Sequence, residues 1–399
     1  MSIPHLPQEI LDYVVDPLNG YPKALKECCL VSKSWIPRTR KHLFAEIRLH
    51  TKKRLESWKK TFPDPSTSPA RHTKVLFVGC AHAVTATDAG EGGWLRGFSR
   101  VVRLGVSSQL LDPGLPDIFT PFHGLSPVVK SLRLTSRPFV PSHIFDLALS
   151  FPVLEDLAVS TNFGALTDRW DSSDGPLTIA QPPSSPAFTG SLDIFLRGGM
   201  GPIVHLLFPL PGGIHFRKFT LRWFKKGDPL LTTRWLERCS RTIKSLDIAS
   251  HLGTPVRHGV RSGNLPLFPV GSRSASTDLS KALKLEDVDF RLRSLSIAWV
   301  TAALRTITPQ HRDLRRISIH LPRSLAFLDA AESVRQLIGE EGVGHWSDLD
   351  HHLAQFWESR SITPEVVLTA AKGNTQGARV CVGLLLPGVT TRGMIDLVD

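Results

Sequence analysis

The 399-residue chain lacks long apolar runs, glycosylation acceptors and paired cysteine motifs, and each absence excludes a class of protein. The longest apolar stretch, Ile203 to Leu210, is interrupted by His205 and is too short to cross a bilayer. The first residues lack a charged segment followed by an apolar core, so secretion is not expected. Five cysteines form no C-x-x-C pair, and no Asn-x-Ser/Thr occurs. We expect a soluble protein with reduced thiols, in the cytoplasm or nucleus, with no membrane partner.

Motifs for catalysis and metal binding are also missing. Residues 198–201 are glycine-rich but have no P-loop lysine, and no G-x-S-x-G or H-E-x-x-H occurs. Residues 311–314 read His-Arg-Asp-Leu, as in a kinase catalytic loop, yet Ser318 stands where the magnesium-binding asparagine is required. The histidines and aspartates of residues 345–352 lack the spacing of zinc ligands. The sequence therefore predicts no catalytic residue, no metal, no cofactor and no enzyme.

Positive charge is unevenly distributed along the chain. The net charge is +12, and residues 38–60 alone hold nine Lys or Arg against two Glu. A basic run of this kind can contact nucleic acid or attract acidic partners. No nucleic-acid-binding module accompanies it, so a solvated helix face is the favoured interpretation. Hydrophobic residues make up 41% of the chain, enough to bury a large core in two or three domains.

The first 49 residues predict three short amphipathic helices. Pro7 suits a first helical turn, and an apolar stripe follows at Ile10, Leu11, Val14 and Val15. Turn residues at 16–22 end that helix. The second helix carries Leu25, Cys28 and Cys29, and the third carries Trp35, Ile36, Thr39, Leu43 and Phe44 behind a serine cap at Ser32 or Ser34. Three helices of this length bury too little surface to be stable alone, so a partner is expected.

These residues resemble an F-box. The resemblance lies in a Leu-Pro pair, an aliphatic pair after it, and a Leu-Val-Ser-Lys element followed by Trp, covering roughly residues 3–49. It implies docking on the Skp-family adaptor of a cullin-RING ubiquitin ligase. The adaptor-binding residues that it implies are Leu6, Pro7, Ile10, Leu11, Leu30, Val31 and Trp35.

A short repeat follows a basic and Pro/Ser-rich linker at residues 50–72. The pattern is aliphatic, two variable residues, aliphatic, one variable residue, aliphatic. It begins at Val129, Leu154, Phe216, Ile243, Leu292 and Leu314, with partial copies near Leu76, Val102 and Leu192. Such a pattern resembles a leucine-rich repeat, and Asn162 stands at that family's asparagine position in one copy. We therefore predict an α/β chain: a three-helix F-box at 1–49, then an irregular leucine-rich-repeat-like solenoid of parallel strands over 73–399.

Helices are predicted between these strands, and a closing segment after them. The helical candidates are 142–150, 232–239, 300–307, 324–338 and 346–358, and the closing strands are 366–369 and 380–386. Loops at 171–190 and 253–277 are rich in Pro, Ser and Gly and are expected outside the solenoid. Several C-terminal segments, among them FWESRSI at 356–362, resemble F-box-like proteins of mushroom-forming fungi.

The predicted function is that of a substrate receptor in an SCF-type ubiquitin ligase. The helices would hold the adaptor and, through it, the cullin scaffold, while the concave strand face would hold a client protein. Solvent-directed basic residues on that face suggest acidic or phosphorylated clients; they are Lys130, Arg133, Lys218, Lys244, Arg293, Arg315 and Arg316. Two alternatives stay open: a repeat-based binding scaffold that recruits no ligase, and nucleic-acid association through residues 38–60.

Overall fold

The computed structural model describes residues 7–108, 118–136, 141–161, 188–196, 207, 214–223, 228–250, 277–291, 297–320, 343–358, 365–369, 380, 382–391 and 395–398. The chain forms two compact units. The first spans residues 1–165 and 172–187, and the second spans residues 166–171 and 188–399.

The first unit opens with the three predicted helices. They are α1 (Gln8–Val15), α2 (Pro22–Val31) and α3 (Ile36–Leu43). The turn between α1 and α2 ends at Gly20, whose φ of 100° is readily accessible only to glycine. Ser32 accepts a hydrogen bond from the backbone N–H of Ser34 and so caps the short 3₁₀ turn that leads into α3.

The predicted apolar stripe of α1 divides into an inner and an outer half. Leu11 and Val15 are buried, whereas Ile10 and Val14 are exposed. Leu25, Cys28 and Thr39 of the other two helices complete the small helical core. This stripe of four apolar positions is therefore wider than the neighbouring helices cover, and part of it faces outward.

Five parallel strands and three further helices complete the described part of the first unit. The strands are β1 (Glu46–Leu49), β2 (Val75–Val78), β3 (Arg103–Ser108), β4 (Ser131–Ser136) and β5 (Asp156–Thr161). The helices are α4 (Lys52–Thr61), α5 (Ala86–Ala89) and α6 (Pro141–Leu149). Each strand pairs with the next along the chain. Helix α4 lies within the segment predicted as a linker.

Apolar residues occupy the same position in every strand of this unit. Leu76 of β2 is aligned with Leu104 of β3, which is aligned with Leu132 of β4 and Leu157 of β5. All four are buried. Because alternate side chains of a strand point to opposite sides, the intervening residues form a second set of rows that face outward.

The backbone carbonyl just before eight of the described strands accepts two N–H groups from the next repeat. Lys74 and Val75 donate to the carbonyl of Ala45 at 2.8 and 3.0 Å. Glu155 and Asp156 donate to Lys130 in the same way at 2.8 and 2.9 Å. The remaining acceptors of this kind are Lys74, Val102, Gly190, Arg217, Lys244 and Glu286. This repeated bond fixes where each strand begins relative to its neighbour.

The second unit repeats the arrangement with seven described strands. They are β6 (Ser191–Leu196), β7 (Lys218–Trp223), β8 (Ser245–Ser250), β9 (Asp287–Arg291), β10 (Arg316–His320), β11 (Glu365–Thr369) and β12 (Ile395–Val398). They pair in parallel and in chain order. The described helices are α7 (Asp228–Cys239), α8 (Ile297–Arg305), α9 (Val343–Glu358) and α10 (Pro387–Thr391).

The predicted strand that begins at Leu292 is wrong at Ile297, and its other residues lie outside the described residues. The strand in this repeat is β9, where Val288 and Phe290 are buried, and Ile297 begins α8. The same apolar spacing occurs at Leu285, Val288 and Phe290, so the sequence offered two overlapping candidates. The carbonyl of Lys244 accepts from Glu286 and Asp287, which selects the earlier one.

The predicted closing strand at 380–386 is also wrong. Val380 and residues 382–385 are helical, and α10 follows at once. Val382, Leu385, Leu386 and Val389 are buried with helical spacing, while Leu384 is 65% exposed. The last described strand is instead β12. The other closing strand, at 366–369, is confirmed as β11.

Three predicted inter-strand helices are confirmed with small changes at their ends, as α6, α7 and α8, and the predicted 346–358 helix is confirmed as α9. The predicted helix at 324–338, Asn162, and nearly all of the two predicted Pro/Ser/Gly loops lie outside the described residues. His311, from the kinase-like tetrapeptide, is buried, and its Nε2 lies 2.9 Å from the carbonyl of Leu279. Its role is to join two turns of the core.

The chain is thus an α/β protein with repeat-like parallel strands and helices, as predicted at that level. None of the described helices is long and apolar enough to cross a membrane.

A substitution in the inner row should destabilise the first unit strongly. Leu132→Ala removes a fully buried side chain and should lower the free energy of unfolding by about 3 kcal/mol. Thr135→Ala, an exposed position three residues later on the same strand, is the control and should change it by less than about 0.5 kcal/mol. Urea unfolding followed by circular dichroism measures both. Equal effects would contradict the assignment of inner and outer rows.

Candidate functional site

Exposed apolar side chains are concentrated on the N-terminal helices. We define the apolar helical surface as Ile10, Tyr13, Val14, Tyr21, Leu30 and Val31. Leu30 is 87% exposed and Tyr13 is 80% exposed. The other large exposed apolar residues of the described chain lie outside these helices, at Val128, Val153, Leu283, Val380 and Leu384. A concentration of this kind marks an interaction surface more often than chance exposure does.

Two helices supply the apolar helical surface. Ile10, Tyr13 and Val14 have the i, i+3, i+4 spacing that places side chains on one face of α1. Leu30 and Val31 form the end of α2. The 3₁₀ turn at Lys33–Trp35, which starts two residues after Val31, packs against α1. The two sets of side chains therefore belong to one packed assembly of helices.

The seven predicted adaptor-binding residues fall into different environments. Ile10, Leu30 and Val31 belong to the apolar helical surface, and Pro7 is exposed just before α1. Leu11 is buried in the helical core, Trp35 is half-buried, and Leu6 lies outside the described residues. Sequence reasoning did not assign Tyr13 and Tyr21 to the surface. Tyr13 could have been predicted from the sequence, because it lies three residues after Ile10 and so shares its face of α1.

An ionic cluster holds the helices in place. The guanidinium of Arg38 on α3 donates two hydrogen bonds to the carboxylate of Asp16, which follows α1. Nε2 of His42 lies 2.8 Å from Asp16 Oδ1, and Arg38 also lies 3.3 Å from the carboxylate of Asp12. The hydrogen bonds from Arg38 and then His42 hold the pKa of Asp16 well below its ordinary value. The cluster orients α1 against α3, and thereby the apolar helical surface.

Two of the described thiols, those of Cys80 and Cys239, are poorly suited to nucleophilic catalysis. Burial raises the pKa of Cys239 to about 12 and also raises the pKa of Cys80, so both thiols stay protonated at neutral pH. The Cys29 thiol lies 3.0 Å from the Thr39 hydroxyl. Within the described ranges, no group of three or more His, Cys, Asp or Glu could hold a metal ion. Asp350, from the predicted metal alternative, accepts the backbone N–H groups of Gly388 and Val389 at 2.9 Å each.

A groove in the second unit has a volume of about 820 Å³. Its charged lining includes Glu237, Arg241, Lys281 and Lys284, and Lys284 also lies 3.4 Å from Asp313. The lining that the structure describes holds one carboxylate and no histidine or cysteine.

The predicted client-binding residues differ in their surroundings. Lys130 is 2.8 Å from Glu155, and Lys244 is 2.5 Å from Glu286, so both ammonium groups have an acidic partner. Arg133, Lys218, Arg315 and Arg316 are exposed, and Arg293 lies outside the described residues. Lys130, Lys244 and Arg315 stand just before their strands, and Arg133, Lys218 and Arg316 stand within β4, β7 and β10.

The basic run at 38–60 is partly neutralised in the fold. Arg38 is bound to Asp16, Arg48 to Glu46, and Lys59 to Asp88 at 3.0 Å. Lys52, Lys53, Arg54 and Lys60 are exposed on α4 and are the cations of that helix open to a partner.

The chain matches no family model and no curated protein.

Substituting Asp16 should loosen the N-terminal helices. Asp16→Asn removes the anion that Arg38 and His42 share, so amide hydrogen exchange in α1 and α3 should accelerate at pH 7. Glu9→Gln makes the same charge change on α1 and should leave exchange as in the unmodified chain.

The same cluster predicts a pH dependence. Because the pKa of Asp16 is lowered on folding, its stabilising effect is present above 3.8, its ordinary value, and is lost as the pH falls through the lower, folded value. Between pH 8 and pH 5, Asp16 should therefore contribute no change in exchange. The assignment would be contradicted if the exchange protection of α1 and α3 fell between pH 8 and pH 5 in the unmodified chain but not in Asp16→Asn.

Proposed function

We propose that the chain is the F-box substrate receptor of an SCF-type cullin-RING ubiquitin ligase, with a leucine-rich-repeat-like region that binds clients. The observation that carries this proposal is the apolar helical surface, which coincides with the F-box-like sequence. Ile10, Leu30 and Val31 were selected from the motif alone, and all three are exposed on helices whose cores are filled by other residues.

The chemistry of the surface supports an apolar protein partner. Six large apolar side chains stay in water on a module of about forty residues, although burying one such side chain stabilises a fold by roughly 1.5–3 kcal/mol. Helix faces of this composition bind by laying apolar side chains into the groove of another helical protein. A Skp-family adaptor is the partner that the F-box resemblance implies.

The repeat strands supply the second half of the proposed function. Stacked parallel strands present an extended face that suits a protein client. The receptor would catalyse no reaction itself. It would hold the client close to the ubiquitin-charged enzyme and so raise the effective concentration of the client's lysines.

Aspartates placed in the apolar helical surface should abolish adaptor binding. Val14→Asp with Leu30→Asp places two charges where the proposed contact is dry, while both positions are exposed and tolerate the change in the free protein. Affinity co-purification of the full chain with a Skp-family adaptor should fall at least tenfold. Thermal unfolding should remain as in the unmodified chain.

The control is Val153→Asp with Leu283→Asp, which alters two exposed apolar residues elsewhere and should leave co-purification intact. If the unmodified chain fails to bind the adaptor, or if the Val14/Leu30 variant binds equally well, the ligase proposal is wrong. A repeat-based binding scaffold would then be the better description. Concentration-dependent dimerisation lost in the same variant would assign the surface to a second copy of the chain.

A further inference from the structure

The outward face of β2 to β4 carries cations and no carboxylate. Its outward-facing described residues are Val75, Phe77, Arg103, Gly105, Ser107, Ser131, Arg133 and Thr135. Arg103 and Arg133 are both exposed, and neither forms an ion pair with a described residue. This three-strand surface, which we call the arginine face, therefore bears a net positive charge on a background of hydroxyl groups.

The two arginines are close enough to act on one ligand group. Gly105 of β3 is aligned with Arg133 of β4, and Arg103 lies two residues before Gly105. With strands about 4.8 Å apart and a rise of about 3.3 Å per residue, the two arginine Cα atoms are about 8 Å apart. Two guanidinium groups at that separation can converge on one phosphate or on neighbouring carboxylates, to which arginine donates paired hydrogen bonds.

An aromatic ring lies beside the arginines. Phe77 of β2 is aligned with Gly105, and a Cβ atom added to Gly105 would lie 2.5 Å from the ring's Cδ2 atom. The ring therefore leans over the space that glycine leaves free. On its other side, the centroid of the exposed His50 ring is 4.9 Å from that of Phe77. Phe77 is half-buried, so part of its ring remains available to a ligand.

Three other described strand residues that can carry positive charge have an acidic partner. Arg48 of β1 is bound to Glu46. In the second unit, Arg291 donates to both carboxylate oxygens of Asp247, at 2.9 and 2.6 Å, and His320 lies 3.4 Å from Asp289. The outward positions of β2 to β4 include no acid, and the aligned acid of the next strand is Asp156 of β5, which lies opposite Ser131. Arg103 and Arg133 have no acidic partner among the described residues, so their guanidinium groups are open to an anion supplied from outside.

We propose that the arginine face binds an extended acidic segment of a client protein, with an anionic group held between Arg103 and Arg133 and an adjacent side chain packed on Phe77. That the acidic segment belongs to a client rests on the proposed function. The binding of an acidic peptide to this face does not depend on the proposed function. The sequence predicted seven client-binding residues along the whole chain. The present proposal places the acidic segment on one surface within the first unit.

Fluorescence anisotropy with labelled peptides tests the proposal. The probes are a ten-residue peptide of alternating Glu and Ser, and the same peptide with one central phosphoserine. The unmodified full chain should bind one or both, more weakly as salt is raised. Arg103→Ala with Arg133→Ala should weaken binding at least tenfold, and Phe77→Leu should weaken it severalfold. Binding of both peptides identifies carboxylates as sufficient, and binding of the phosphorylated peptide alone identifies phosphate as the anionic group.

The matched control is Lys52→Ala with Lys53→Ala, which removes two exposed charges from α4 and should leave peptide binding nearly unchanged. Equal losses in the two double variants would show attraction by net charge alone and would overturn the proposal. The proposal would also be overturned if neither peptide binds. The same holds if a single-stranded oligonucleotide binds more tightly than the peptides and its binding depends on Arg103 and Arg133. The Arg103/Arg133 variant should still co-purify with the adaptor. Co-purification therefore tests the ligase proposal, and peptide binding tests the arginine face separately.

Discussion

The structure depends on one repeated backbone interaction. Before eight of the described strands, a backbone carbonyl accepts two N–H groups from the following repeat. Ala45, Lys74, Val102 and Lys130 fill this role in the first unit, and Gly190, Arg217, Lys244 and Glu286 fill it in the second. Because side chains alternate along a strand, a slip of one residue would turn the apolar row toward water. The bond therefore fixes the inner row and the outer row together. The position of Arg103 and Arg133 relative to Phe77 follows from the same register that buries Leu104 and Leu132.

The sequence predicted the class of fold because the interaction that buries each strand is local and repeated. Two apolar residues with one residue between them suffice to identify most strands. It failed where that signal occurred twice, at Leu285 and Leu292, since the choice is made by a hydrogen bond to the distant carbonyl of Lys244. It failed again at 380–386, where a continuous apolar run fits a strand and a helix equally well. Burial of Leu385 and Val389, four residues apart, shows that helical packing decided the outcome.

The candidate sites were predicted to different extents for a related reason. The motif identified Ile10, Leu30 and Val31, but it could not separate the outward half of the α1 stripe from Leu11 and Val15, because only the packing of α2 and α3 determines which half is covered. Likewise, a count of basic residues along the chain could not show that Lys130 and Lys244 have acidic partners 2.8 and 2.5 Å away. Arg103 was missed, because only the strand register shows that it lies near Arg133. The basic residues of a sequence can be assigned to a binding surface only after the structure shows which of them form ion pairs within the protein.

Under the proposed function, the two surfaces need a fixed relation, and packed, hydrogen-bonded elements of the first unit connect them. Helix α3 leads through Ala45 into β1, and the carbonyl of Ala45 begins the hydrogen-bond series that continues to β4. Packing of Phe44 against Trp58 and Phe62, with ring centroids 6.2 and 6.1 Å apart, holds α4 against the same junction. The apolar helical surface and the arginine face therefore belong to one compact unit. Effective concentration falls as a connection becomes longer and looser, so a short packed junction favours transfer to lysines near the bound acidic segment.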